Sequence, residues 1–95
     1  MLLEDILAVI AEHDNTLRGL GVRELALFGS YARGDASATS DLDFYVDLET
    51  KTFDRFMSVK ELLESLFQRR VDLVLKSAIK PRLRDAILRE AVRAA

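Results

Sequence analysis

The sequence predicts an α/β (α+β) fold in which a small mixed sheet of three strands is packed with helices. Three short runs, at residues 24–28, 41–46 and 71–75, have the length and side-chain pattern of strands. Stretches with helical periodicity flank and separate them. One sheet backed by helices is the simplest packing of this order, and the pattern leaves the order of the strands open. We expect one domain over residues 1–95, because this length supports a single core.

The predicted helices lie at the beginning, in the second half and at the end of the chain. Residues 2–18 place apolar side chains on one helical face, and two nearby glycines end that helix. Thr52 is the expected cap of a helix over residues 53–68, and Pro81 suits the first turn of the last helix. The apolar faces predicted for these two helices are Phe53, Phe56, Met57, Leu63, Leu66 and Phe67, and Leu83, Ala86, Ile87 and Ala91.

Composition restricts the chemistry that the chain can perform. It contains no cysteine and one histidine, so thiolate chemistry is excluded and a zinc site built on imidazoles is not expected. A metal would be held by oxygen, which favours Mg²⁺, Mn²⁺ or Ca²⁺. The formal net charge of −2 is unlike the basic field of a general nucleic-acid binder, so no direct nucleic-acid binding is expected.

The opening segment, residues 1–14, is acidic and lacks the basic start and the small-residue cleavage site of a signal peptide. No apolar run in the chain approaches the roughly 18–20 residues that are needed to span a bilayer. We therefore expect a cytoplasmic protein that makes no membrane contact.

Three aspartates fall on predicted strands. Asp41 and Asp43 are two residues apart, so their side chains project from the same face, about 6–7 Å apart. Asp72 lies between two apolar residues of the last strand and points away from the core side. If these strands are neighbours, the three carboxylates converge, and divalent cations would offset their repulsion. Taken alone, Asp-x-Asp is more often a solvated or turn-capping pair than a metal site.

Gly29 and Ser30 directly follow the first predicted strand. A glycine lets the backbone approach a phosphate closely, a following helix start offers free N–H groups, and the serine adds a hydroxyl donor. Taken by itself, the pair is better explained as an ordinary strand-to-helix turn in which the serine acts as a cap. The pair gains significance from the aspartates that follow it.

Gly29-Ser30, ten intervening residues and Asp41-x-Asp43 match the pattern G-S-x10-D-x-D, and Asp72 matches its third carboxylate. On these residues the chain resembles the polymerase-β-type nucleotidyltransferase superfamily. Within it, the chain is similar to the minimal, MNT-type group that pairs with HEPN-domain proteins. The resemblance extends from the first helix to the helix at Pro81, and it implies a nucleotidyltransferase fold.

The resemblance also implies roles for the aspartates. Asp41 and Asp43 would ligate two Mg²⁺ ions. Asp72 would ligate one of these ions and would orient or deprotonate the acceptor hydroxyl.

The phosphate-binding roles follow in the same way. Gly29 and Ser30 would hold the β- and γ-phosphates of ATP. Arg33, in the Ala-Arg-Gly segment, would neutralise phosphate charge, although a solvated arginine at a helix end is an equal alternative.

The activity implied by the resemblance is Mg²⁺-dependent transfer of AMP from ATP to a protein hydroxyl. We expect another protein to supply the acceptor, and the MNT-type group implies a tyrosine of a HEPN-type toxin, with this chain as the antitoxin. One alternative is a binding module that neutralises its partner by docking alone, although the intact motif argues against it. Transfer to a small molecule, as in antibiotic-modifying relatives, is least favoured, because those relatives carry further domains for the acceptor.

Overall fold

Four strands, five α-helices and a short 3-10 helix make up the computed structural model, which describes residues 1–95. The strands are β1 (Val22–Phe28), β2 (Leu42–Leu48), β3 (Val71–Leu75) and β4 (Val92–Arg93). The helices are α1 (Leu3–Glu12), α2 (Asp14–Gly19), α3 (Ser30–Arg33), α4 (Phe53–Phe67) and α5 (Pro81–Glu90), with the 3-10 helix at Lys76–Ala78. None of the helices has both the length and the apolar character needed to cross a membrane.

The four strands form one mixed sheet in the order β3-β2-β1-β4. Strand β2 runs antiparallel to β1 and parallel to β3, and β4 adds an antiparallel edge beside β1. The mixed sheet predicted from the sequence is confirmed, but the predicted count of three strands is wrong. The fourth strand has two residues, which pair with Ala26 and Leu27. Two residues are too few to show the alternation by which a strand is recognised.

Different helices cover the two faces of the sheet. The alternation in β2 places Phe44 and Val46 in the main core, together with buried residues of α1, α2 and α4. On the opposite face, Tyr45 is buried in a smaller cluster with Ala26, against partly buried apolar residues of α5. The alternation of β2 also places Asp43 on this second face. Because α5 lies over it, that face is only partly open.

The first helix, predicted over residues 2–18, is two helices that meet at His13. The backbone N–H of His13 donates to the carbonyl oxygen of Ile10 at 3.0 Å, which tightens the end of α1. Its ring nitrogen Nδ1 donates to the carbonyl oxygen of Val9 at 2.8 Å. His13 therefore serves to end a helix.

Helices α4 and α5 begin at the predicted residues, but their buried faces differ from the prediction. Thr52 caps α4 as expected, since its Oγ1 accepts a hydrogen bond from a backbone N–H three residues later, at 3.2 Å. Phe53 is 77% exposed rather than buried, because the first turn of α4 extends past the core. In α5, Leu83 and Ala86 are exposed, and Leu88 packs against the sheet instead.

The two phenylalanines Phe44 and Phe53 provide a matched test of this packing. Phe44 is fully buried, so Phe44→Ala should lower the free energy of unfolding by about 3–5 kcal/mol. Phe53→Ala should change it by less than about 0.5 kcal/mol, because the ring is exposed. Urea unfolding measures both values. Similar losses for the two variants would contradict the placement of α4.

Candidate active site

Two of the three aspartates predicted to act together lie on neighbouring strands. In the parallel pairing of β2 with β3, Asp43 lies directly opposite Asp72. Residues in register on adjacent strands project from the same face, and the strands are about 4.8 Å apart. Asp41 immediately precedes β2, and both it and Asp72 are exposed. The structure therefore makes β2 and β3 neighbours, which is the adjacency that the predicted convergence of carboxylates requires.

The pKa of Asp43 reports the electrostatics of this cluster. Burial and the negative charges of Asp72 and Asp41 raise the pKa of the half-buried Asp43 carboxyl from 3.8 to about 6, in that order of importance. The positive charge of Arg33 acts in the opposite direction but does not outweigh them. Burial is therefore the main cause of the raised pKa, and around Asp43 the negative charge of its acidic neighbours outweighs the positive charge of Arg33.

The chemistry of this donor set fits a hard divalent cation. Its side chains offer only carboxylate oxygens, which are the ligands that Mg²⁺ and Mn²⁺ prefer. The excess negative charge around Asp43 is the kind that such a cation would offset. No three acidic or histidine side chains in the structure are arranged closely enough to enclose an ion.

The turn after β1 packs directly against these carboxylates. Gly29 is buried and adopts φ 76° and ψ −155°, a conformation that is essentially restricted to glycine. A Cβ built on Gly29 would lie 3.1 Å from Cγ of Asp43 and closer still to Oδ2. Ser30 follows as the first residue of α3. The Gly-Ser pair and the Asp-x-Asp pair are therefore the two halves of one site.

Arg33, the last residue of α3, is engaged in ion pairs. Its guanidinium lies 3.3 Å from a carboxylate oxygen of Asp35 and 3.3 Å from one of Glu90. These two carboxylates raise the pKa of Arg33, so the side chain remains charged. The side chain is also 49% exposed at the end of α3, as expected for a solvated arginine at a helix end. Its position one helical turn from Gly29 is compatible with the phosphate-binding role predicted for it.

Two residues at the site were not predicted from the sequence. Glu90, the last residue of α5, accepts a hydrogen bond from the backbone N–H of Gly29 at 2.9 Å. Arg69 donates from Nη1 to the Tyr31 hydroxyl at 2.7 Å and to the Ala38 carbonyl oxygen at 2.9 Å. Arg69 thus ties α3 to the loop that leads into the Asp-x-Asp strand. Neither residue belongs to a motif, and their sequence neighbourhoods showed only ordinary charged residues near the ends of elements.

Comparison with known proteins defines the class. A family model described as a nucleotidyltransferase domain matches residues 8–94. The chain belongs to this family, so it is a nucleotidyltransferase, and the enzyme class and the fold predicted from the sequence are confirmed. The chain is 44% identical over 92 residues to the protein adenylyltransferase MntA of Thermococcus cleftensis, a match that covers 95% of this chain and 93% of that relative.

Solved structures agree with this classification. One, described as a candidate minimal nucleotidyltransferase, is 38% identical and superposes with a TM-score of 0.83, covering 97% of this chain and 95% of the other. Another is the MNT antitoxin in complex with a tri-AMPylated HEPN toxin of Shewanella oneidensis. At 19% identity and a TM-score of 0.67, covering 95% of this chain and 71% of the other, it shares the fold. The resemblance to the minimal, MNT-type group is confirmed.

Substitution of Gly29 tests how closely the turn packs against Asp43. Gly29→Ala should lower the free energy of unfolding by at least about 1–3 kcal/mol, because of the positive φ and the collision with the carboxylate. Gly19→Ala is the matched control, since its new methyl group meets nothing within 4 Å, and it should be neutral or slightly stabilising. Chemical denaturation compares the two. Equal effects would contradict the described packing.

The raised pKa of Asp43 predicts a pH-dependent cost to stability. Because the folded state favours the protonated carboxyl, the cost is absent below the unfolded value of 3.8 and complete above about 6. In metal-free buffer, Asp43→Asn should therefore unfold at a higher temperature than wild type at pH 7.5. After allowance for solvent screening, the variant should gain about 1 kcal/mol in the free energy of unfolding, which raises the unfolding temperature by about 4–8 °C.

The same comparison at low pH is the control. At pH 3.5 the Asp43 carboxyl is protonated in the folded state and mostly protonated in the unfolded state, so the difference in unfolding temperature between wild type and Asp43→Asn should be nearly lost. A difference that persists unchanged from pH 3.5 to 7.5 would contradict the electrostatic origin of the effect.

Proposed function

We propose that this nucleotidyltransferase moves AMP from ATP to a protein hydroxyl, namely a tyrosine of a HEPN-type toxin, and thereby acts as its antitoxin in the cytoplasm. The observation that carries the proposal is the position of Asp43 opposite Asp72 and directly beside Gly29. The name of the Thermococcus relative, which this chain matches over nearly its whole length, supports the protein acceptor. The AMPylated state of the HEPN toxin in the Shewanella complex supports the class of partner.

In this proposal Asp41, Asp43 and Asp72 hold two Mg²⁺ ions. The bound ions would neutralise the triphosphate and activate the attacking hydroxyl. Asp43 and Asp72 are held on two paired strands and Asp41 directly precedes one of them, so the sheet sets the positions of these ligands.

The remaining residues bind the nucleotide and handle the proton. The Gly29 N–H and the Ser30 hydroxyl bind the β- and γ-phosphates, and Arg33 neutralises their charge. Asp72 is exposed to solvent, where an acceptor protein can reach it. It orients the acceptor hydroxyl and takes its proton.

The reaction is an in-line substitution at the α-phosphorus of ATP. The tyrosine oxygen forms a bond to that phosphorus while the bond from it to the bridging oxygen of the β-phosphate breaks. The products are the tyrosine–AMP phosphodiester and pyrophosphate, and the hydroxyl proton passes to Asp72. Without cations, the negatively charged side chains of the site would repel ATP. The proposal requires Mg²⁺ for this physical reason.

The proposal is tested by transfer of label from ATP to the partner. The purified chain, Mg²⁺, ATP labelled at the α-phosphate and the HEPN-type product of the neighbouring gene should give a labelled partner. Asp41→Ala should reduce the rate by at least about 100-fold, because transition-state charge stabilisation is lost. Asp54→Asn, an exposed aspartate in the first turn of α4, is the matched control and should retain full activity.

Two results would contradict catalysis. One is equal labelling by wild type and Asp41→Ala. The other is neutralisation of the toxin by Asp43→Asn at wild-type strength while the complex remains intact, which would favour neutralisation by docking alone.

A further inference from the structure

Glu90 joins the end of the chain to the Gly-Ser turn. It is the last residue of α5, and the short strand β4 that follows pairs with β1 through Leu27 and Val92. This pairing places the end of α5 beside the end of β1, where Gly29 begins the turn. The Glu90 side chain is 27% exposed, so it has room to move toward solvent.

The Glu90 carboxylate makes two contacts at the turn. Its Oε1 accepts a hydrogen bond from the backbone N–H of Gly29 at 2.9 Å. Its Oε2 lies 3.3 Å from Nη1 of Arg33. A backbone N–H and a guanidinium that meet one anionic group form the arrangement in which proteins commonly bind phosphate oxygens.

Both partners of Glu90 are groups that the proposed function assigns to the nucleotide. The N–H of Gly29 has a single proton to donate, so it cannot serve the carboxylate and a phosphate oxygen together. Glu90 also adds negative charge next to Asp43, where a triphosphate would bring more. A bound triphosphate and the observed position of the Glu90 side chain are therefore mutually exclusive.

We infer that Glu90 is a displaceable stand-in for a nucleotide phosphate. Without nucleotide, the Glu90 carboxylate accepts the hydrogen bond of the Gly29 N–H and pairs with the Arg33 guanidinium. When the β- and γ-phosphates bind, the Glu90 side chain rotates toward solvent. Glu90 thereby lowers the affinity for ATP but not for AMP, which lacks the phosphates that reach this turn. This inference rests on the proposed function, because it takes Gly29 and Arg33 as phosphate-binding groups.

Isothermal titration calorimetry with Mg²⁺–ATP tests the inference on the intact chain. Glu90→Gln keeps the size of the side chain and removes its charge, so it should tighten ATP binding about fivefold, the factor that roughly 1 kcal/mol of ion pairing represents. Inorganic triphosphate, which carries no nucleoside, should show the same gain. The affinity for AMP should not change. Glu61→Gln, at an exposed position of α4, is the matched control and should bind all three like wild type.

The outcomes separate the inference from the proposed function. If wild type binds ATP and Glu90→Gln binds it equally or more weakly, the role of Glu90 is overturned. The proposed function is left intact by this result. An equal gain in affinity for AMP also overturns it. Failure of both proteins to bind ATP or triphosphate overturns the proposed function together with the inference.

A spectroscopic measurement on wild type keeps the test independent of the variant's folding. The amide proton resonance of Gly29 reports directly on the acceptor of its hydrogen bond. The inference expects this resonance to shift when inorganic triphosphate is added with Mg²⁺, and to remain in place when AMP is added. A resonance that does not respond to triphosphate, in a protein that binds triphosphate by calorimetry, overturns the exchange of Glu90 for a phosphate.

Discussion

The parallel pairing of β2 with β3 is the constraint on which the site depends. It sets the carboxylates of Asp43 and Asp72 side by side, an arrangement that their mutual repulsion opposes. The register is held by the opposite face of the same strands, where Phe44 and Leu73 are buried in the main core. A slip of one residue would turn the aspartates into that core and the apolar side chains out of it. The hydrophobic core therefore stabilises a cluster of charges that would otherwise separate.

The close approach of Gly29 to Asp43 makes one site from two motifs. Because Gly29 has no Cβ, the turn after β1 can lie against the carboxylate on the adjacent strand. The groups suited to phosphate and those suited to a cation consequently share a boundary. The proposed reaction requires this proximity, because both sets of groups would act on the same triphosphate. Arg69 supports the arrangement from the outside, through its hydrogen bonds to α3 and to the loop before Asp41.

Charge balance links the site to the rest of the chain. The positive charge of Arg33 is shared between Asp35 and Glu90, so little of it is left to offset the aspartates. A site with this excess of negative charge binds an anionic substrate only if it also binds cations or rearranges its own carboxylates. On this face Tyr45 and its apolar neighbours pack against α5, whereas Asp72 is exposed.

Local pattern alone determined much of this protein. The strand at residues 71–75, the cap at Thr52 and the alternation of Asp43 with Phe44 follow from alternation and capping rules that act over a few residues. The Gly-Ser and Asp-x-Asp spacing identified the family, because it can be read directly along the chain. Tertiary structure decided the strand order, the two-residue strand β4 and the contacts of Glu90 and Arg69. Those features join segments far apart in sequence, so no local periodicity encodes them, and only the packed chain shows which distant residues meet.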